Sequence, residues 1–142
     1  MADIVRTGIC HQYMIMPTDI THIDDDALIL HLQLHGDIVT ADLEALGKIG
    51  QEAVSAGPAY AIIDCTAITS LPRNLVNSAL RANSLLALAN HPNLRFAIFV
   101  QPDAAIRNMV DQIFRNVPYT VMGTVDAAVN RLTAEIIPND RL

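Results

Sequence analysis

Two apolar runs decide the fold of this chain: LILHLQL at positions 28–34 and AYAIIDC at positions 59–65. Leucine recurs at every second position of the first run, which is typical of a strand with one buried face. The second run is continuously apolar until Asp64, as expected for a central parallel strand covered on both faces. A segment with helical periodicity separates the two runs, so residues 28–68 predict a β-α-β unit. We expect the functional site of this unit beyond the carboxyl ends of the strands.

The segment after the first run predicts an amphipathic helix. Thr40 is a suitable N-cap, an acidic first turn matches the helix dipole, and Gly57-Pro58 ends the pattern. Gly47 and Gly50 each cost about 1 kcal/mol relative to Ala inside a helix. Either they allow a neighbouring element to approach the backbone closely, or they are simply tolerated.

The pattern continues on both sides of this unit. QYMIM at 12–16 predicts a short strand that pairs antiparallel with 28–34 through the acidic turn at 24–26. Downstream, the sequence predicts a helix at 75–89, a strand at 94–100, a helix that begins near Asp103, a strand at 119–122 and a helix capped by Thr124. The order β-β-α-β-α-β-α-β-α indicates a single α/β domain over residues 12–137, with a mostly parallel sheet, one antiparallel strand and an N-terminal arm at 1–11.

Composition excludes several classes of partner. The net charge is −6, and the nine Lys and Arg residues are scattered rather than clustered, which disfavours nucleic-acid binding. No apolar stretch is long and uninterrupted enough for membrane insertion. Cys10 and Cys65 are far apart with no metal-binding spacing, as expected for free thiols in a reducing compartment. We therefore expect a cytoplasmic protein.

The stretches LHLQLHGDIVTADLEAL (30–46) and AYAIIDCTAIT (59–69) resemble the STAS domain, the sulfate-transporter and anti-sigma-factor-antagonist module. Gly36-Asp37 and Asp64 stand at the family's acidic turn and strand end. The resemblance is direct over residues 28–69 and topological over 94–132. It implies a STAS-like fold and a function by binding. We predict a non-catalytic protein-interaction or regulatory module with a protein partner, such as a kinase or a sigma-factor regulator, and we expect the chain to form a homodimer.

One departure from the family concerns phosphorylation. Regulatory STAS domains carry an Asp-Ser-Ser-Gly turn whose serine is phosphorylated, whereas positions 70–74 here read Ser-Leu-Pro-Arg-Asn. The phosphorylation switch therefore does not carry over to this chain. Lipid-carrying domains of the Sec14 type share the architecture, so a carrier of lipids or small molecules, with an apolar pocket between sheet and helices, is the alternative function.

The segment at 66–74 is the candidate binding site and is predicted to be a polar loop. It offers three hydroxyls, a cation and an amide just before a helix, an arrangement suited to an anion or a protein partner. An ordinary capped loop with a solvated Arg73 is the alternative interpretation. Asp64 either acts on a ligand or accepts hydrogen bonds from the turn that follows it. The candidates are Asp64, Thr66, Thr69, Ser70, Arg73 and Asn74.

No complete catalytic or metal-binding motif occurs, so we predict no catalytic residue, metal or cofactor. His31 and His35 would lie roughly 13 Å apart along a strand, too far to share one ion. They are expected on the surface or at a dimer contact.

Overall fold

The computed structural model describes residues 18–22 and 28–136. Its sheet has the strand order β1-β2-β3-β4-β5, in which β2 to β5 are parallel and β1 pairs antiparallel with β2. The predicted α/β class with a mostly parallel sheet is confirmed. The predicted arm at 1–11, strand at 12–16 and turn at 24–26, and the outer limits of the domain, lie outside the described residues. The strands are β1 (Thr18–His22), β2 (Leu28–Asp37), β3 (Ala59–Ser70), β4 (Leu94–Val100) and β5 (Tyr119–Met122).

Helices cover both faces of the sheet. The first four pack on one face against the larger core, and the fifth packs on the other face over a smaller core that includes Tyr60, Ile62 and Ile98. Successive strand residues point to opposite faces, so the apolar run of β3 supplies both cores. The helices are α1 (Thr40–Val54), α2 (Leu75–Arg81), α3 (Asn83–Ala89), α4 (Ala104–Ile113) and α5 (Val125–Arg131), which continues into a π-helical turn (Leu132–Ile136).

The start of α1 differs from the prediction. Thr40 is the first helical residue, and the N-cap is Val39, whose side chain has no hydrogen-bond acceptor. Instead, the buried Asp42 carboxylate accepts a hydrogen bond from the Val39 N–H at 2.9 Å. The acidic residue in the first turn therefore does the capping that the sequence assigned to Thr40.

The helix predicted at 75–89 is divided at Ala82 into α2 and α3. The break lets the start of α3 bind α1: the Ser84 hydroxyl donates to the Glu44 carbonyl at 2.5 Å, and the Ser84 N–H donates to Glu44 Oε1 at 3.3 Å. A Cβ at Gly47 would lie 2.2 Å from the Leu85 nitrogen. The close approach of a neighbouring element, one of the two interpretations of this glycine, is confirmed.

β2 and β3 extend past the rest of the sheet. The last β4 partner of β3 is Val100, opposite Asp64, whereas β2 and β3 stay paired until Asp37 and Ser70. The prediction that the strand ends at Asp64 and that a loop starts at Thr66 is therefore wrong, since strand pairing continues to Ser70. Register shifts in β2–β3 interrupt the regular ladder over this extension.

Candidate functional site

The paired ends of β2 and β3 bring three polar side chains together. The Thr69 hydroxyl and the Ser70 hydroxyl each donate a hydrogen bond of 2.8 Å to Asp37 Oδ1. All three residues are exposed. The backbone is joined at the same place, because the Ile38 N–H donates to the Ser70 carbonyl at 2.9 Å. Two of the predicted site residues, Thr69 and Ser70, thus form one cluster with Asp37.

This cluster favours the charged form of Asp37. The hydrogen bonds from Ser70 and Thr69 lower the pKa of the Asp37 carboxyl, and the small effect of burial opposes them. The carboxylate is therefore ionised at neutral pH and accepts both hydroxyls. A phosphate on either hydroxyl would place about two further negative charges next to it, which is unfavourable.

Arg73 and Asn74 lie beyond the cluster, in the short connection between β3 and α2. They line an open groove of about 400 Å³ together with Leu75, Val76, Ala105 and Asn108. Arg73 is exposed. The Asn74 side chain accepts a hydrogen bond of 3.1 Å from the Asn77 N–H and so caps α2. Arg73 is therefore the cation of this groove, while the Asn74 oxygen is engaged by the helix.

Asp64 and Thr66 form a separate, inner group. Asp64 is only 5% exposed and lies on the same sheet face as Tyr60 and Ile62. Its Oδ1 accepts the Thr66 N–H at 2.9 Å and the Thr66 hydroxyl at 2.7 Å, and its Oδ2 accepts Gln33 Nε2 at 3.2 Å. The carboxylate thus accepts hydrogen bonds from Thr66, two residues further along β3, and from Gln33 on β2. This arrangement matches the structural interpretation of Asp64.

Two residues of this edge were not among the predicted site residues. Asp37 binds both hydroxyls, and Val39, beside it in the chain, is 54% exposed although it is a large apolar residue. Gly36-Asp37 at the end of a parallel strand next to β3 is the signal that could have identified the first. The sequence does not indicate that Val39 is exposed, because an apolar residue at the start of a helix is usually buried.

An apolar cavity lies between the sheet and α1–α4. Its volume is about 20 Å³, and it is lined by aliphatic and aromatic side chains and by Cys65. That volume is close to what one water molecule needs. Burial, followed by the nearby charges of Asp64 and Asp103, raises the pKa of the Cys65 thiol to about 12, so the thiol stays protonated.

The described part of the chain offers neither a metal site of several ligands nor a membrane-spanning helix. Over residues 18–22 and 28–136, no three or more His, Cys, Asp or Glu side chains are grouped so that they could hold a metal ion. His31 and His35 are both half-buried on β2 rather than fully exposed. None of the helices described above is long and apolar enough to span a membrane.

Comparison with known proteins identifies the fold. No family model and no curated protein matches the sequence. An uncharacterized protein of the DUF3478 family from Shewanella loihica PV-4, with a SpoIIAA-like fold, superposes with a TM-score of 0.57 at 16% identity, covering 82% of this chain and 93% of that one. The anti-sigma factor antagonist SpoIIAA in its unphosphorylated form gives a TM-score of 0.51 at 18% identity, covering 82% of this chain and 98% of that one.

Both proteins are matched over nearly their whole length. The predicted resemblance is therefore confirmed at the level of the fold: the chain is a STAS-like domain with the SpoIIAA-like fold.

Proposed function

We propose that this chain is a non-catalytic regulatory module that binds a protein partner through one edge of its sheet. The carboxyl-edge surface, as we name it, consists of Asp37, Val39, Thr69, Ser70 and Arg73. The observation that carries the proposal is that this edge joins an exposed apolar side chain, an ionised carboxylate with two hydroxyls, and an arginine beside an open groove. Protein interfaces combine such apolar and polar groups.

The fold supports the same proposal. SpoIIAA, which this chain resembles in structure, is an anti-sigma factor antagonist. A protein of that kind acts on other proteins, and we extend this mode of action to the present chain. A kinase or a sigma-factor regulator in the cytoplasm is the class of partner that we propose, with the chain itself acting as a homodimer.

Arg73 is the residue of this surface best suited to select a partner. Its guanidinium is exposed, and it makes no ion pair with any residue in the described ranges. An arginine can bind a carboxylate of the partner in a bidentate manner, which gives both affinity and orientation.

The alternative functions gain less support. Pockets for drug-sized ligands usually have volumes of about 300–1,000 Å³, whereas the cavity between sheet and helices has about 20 Å³. No observation therefore favours the lipid carrier. For an enzyme, the carboxylate that could act on a ligand is Asp64, and its oxygens already accept three hydrogen bonds within the domain.

Affinity purification with three baits tests the proposal: the unaltered chain, Arg73→Ala and Arg81→Ala. Arg81 is an exposed arginine at the other end of α2 and serves as the matched control. We expect a protein that is captured by the unaltered chain and by Arg81→Ala and depleted at least tenfold with Arg73→Ala, since a charge-assisted bidentate contact is lost. Equal capture by all three baits would contradict a role for Arg73.

The fold of the variants must be checked beside the capture experiment. Exposed substitutions usually change the free energy of unfolding by no more than about 0.5 kcal/mol, so both variants should melt with the unaltered chain. If Arg73→Ala unfolds the domain, Arg73 is a structural residue and the proposed surface is wrong at its centre.

A further inference from the structure

β5 (Tyr119–Met122) is an edge strand of the sheet, and its outer backbone edge has no strand partner among the described residues. Its inner edge is bound to β4, because the carbonyls of Pro118 and Met122 accept the N–H groups of Ala97 and Gln101. Backbone groups of successive strand residues point to alternate sides, so Tyr119 and Val121 direct their N–H and C=O groups outward. Among residues 18–22 and 28–136, no strand pairs with these outward groups.

β5 has only four residues, which by itself limits strand addition, but it carries no charged residue and no proline of its own. Natural edge strands are commonly protected by lysine, proline or an inward-pointing charge. β5 has the sequence YTVM, and all four of its side chains are only partly buried. The edge therefore combines free backbone groups with uncharged, partly apolar side chains, which suits pairing with another strand.

A second copy of the chain fits the edge in one register. If a two-fold axis perpendicular to the sheet passes midway between Thr120 and Thr120 of the partner subunit, the two β5 strands run antiparallel and Tyr119 lies opposite Val121 of the partner subunit. Each such pair exchanges two hydrogen bonds, so every outward group of both strands is used. A shift of two residues in either direction would place Tyr119 or Val121 opposite a residue outside the strand.

Two charged residues on α4, Arg107 and Asp111, are spaced so that they can pair across the same two-fold axis. The pKa of the Tyr119 hydroxyl is raised chiefly by its hydrogen bond to Asp111, and the charge of Arg107 opposes that rise. Both α4 charges therefore lie near β5, and both are exposed. Arg107 is one helical turn, about 5.4 Å, from Asp111. The spacing from Tyr119 to Val121 along the strand is similar, about 6.6 Å.

The direction of α4 completes the match. The helix follows β4 and returns antiparallel to it, so Arg107 lies nearer the carboxyl ends of the strands than Asp111 does. Asp111 is at the level of Tyr119, which puts Arg107 near the level of Val121. The two-fold axis, at the level of Thr120, places the Tyr119 level of one copy opposite the Val121 level of the other. Arg107 of one copy then faces the level of the partner subunit's Asp111, and the reverse pair forms by symmetry.

We propose that two copies of this chain associate through their β5 edges in this register, so that the two sheets become continuous. The inference rests on the homodimer included in the proposed function and names its interface. The carboxyl-edge surface lies at the ends of β2 and β3 and in the connections that follow them, and β4 separates β3 from β5, so the dimer leaves that surface accessible.

A cysteine at the axis tests this interface directly. Thr120 lies opposite Thr120 of the partner subunit in a non-hydrogen-bonded pair, whose Cα atoms are about 4.5 Å apart. This separation is within the range of a disulfide. In a chain whose Cys10 and Cys65 are replaced by alanine, Thr120→Cys should form a cross-linked dimer on mild oxidation. Ala87→Cys, exposed on α3, is the control and should stay unlinked.

The outcomes separate the interface from the dimer itself. If sedimentation shows the unaltered chain to be a dimer and Thr120→Cys does not cross-link, or if Ala87→Cys cross-links equally well, this interface is overturned while the homodimer stands. A monomeric unaltered chain at high concentration overturns both.

A proline in the edge gives an independent result. Val121→Pro removes an outward N–H and leaves the hydrogen bonds to β4 in place, and proline is tolerated at such edge positions. We expect the dimer dissociation constant to rise about tenfold or more, because two intersubunit hydrogen bonds are lost per dimer. Val121→Thr keeps the N–H and should retain most of the affinity. An unchanged dissociation constant for a folded Val121→Pro chain overturns the proposal.

Discussion

Asp37 and Asp64 show how two carboxylates near the ends of neighbouring strands acquire different roles. Asp64 is buried and accepts three hydrogen bonds from Thr66 and Gln33, which hold the strand where β4 ends. Asp37 is exposed and accepts two hydroxyls at the tip of the extension. The buried carboxylate thus stabilises the extension, and the exposed one belongs to the surface that we propose for partner binding.

The titration of Asp37 should report its two hydroxyl partners. Hydrogen bonds from Ser70 and Thr69 lower the pKa of the carboxyl, so their contribution is present above the pKa of an unfolded aspartate and is lost as the pH falls through the lowered value. Replacing Ser70 by Ala should therefore raise the pKa of Asp37 toward its ordinary value. Carboxyl NMR titration is the measurement.

Ser55→Ala is the control for that titration, because the Ser55 hydroxyl donates to the Glu52 carbonyl and does not contact Asp37. It should leave the Asp37 titration unchanged. An Asp37 midpoint that is the same in the unaltered chain and in Ser70→Ala would show that the hydroxyl pair does not form in solution.

At the scale of elements, the contact between α1 and α3 depends on two glycines that work differently. A Cβ at Gly47 would lie 2.2 Å from a backbone atom of Leu85, whereas a Cβ at Gly50 would meet the flexible end of the Leu88 side chain at 2.4 Å. Backbone cannot move aside without shifting the helix, but a leucine side chain can change its rotamer. Gly47 therefore sets the distance between the helices, and Gly50 does so much less.

Paired substitutions test this difference. Alanine is favoured over glycine in a helix interior by about 1 kcal/mol, and overpacking costs about 1–3 kcal/mol or more. Gly47→Ala should lower the free energy of unfolding by about 2 kcal/mol or more, while Gly50→Ala should change it by no more than about 1 kcal/mol. Urea denaturation measures both. Equal effects of the two substitutions would be inconsistent with the backbone contact at Gly47.

The elements also show what the sequence can and cannot predict. Hydrophobic periodicity predicted the α/β class and the position of every helical segment, because periodicity records which face is buried. It missed the break at Ala82 and the capping of α1 by Asp42, since both depend on contacts between residues. Likewise, the grouping of Thr69 and Ser70 with Asp37 depends on the register of β2 and β3. Local pattern does not encode that register.

For the molecule as a whole, the sheet separates the two interaction surfaces that we propose. The carboxyl-edge surface lies around the end of the β2–β3 extension. β5 is the edge strand on the side of the sheet opposite β1. Helices cover both faces of the sheet, and the two proposed surfaces lie at the carboxyl end and at one side of it. The carboxyl-edge surface is proposed for a regulatory partner, and the β5 edge is proposed for a second copy of the chain.

The measurement that tests the central claim most directly is NMR mapping of the bound partner. The ¹⁵N-labelled chain is titrated with the protein that the affinity purification captures with the unaltered chain and loses with Arg73→Ala. Amide shifts are predicted to change mainly at residues 37–39 and 69–76, the carboxyl-edge surface and the start of α2. Changes confined to the opposite ends of the strands, at residues 57–60 and 91–95, with the carboxyl edge unaffected, would contradict the account.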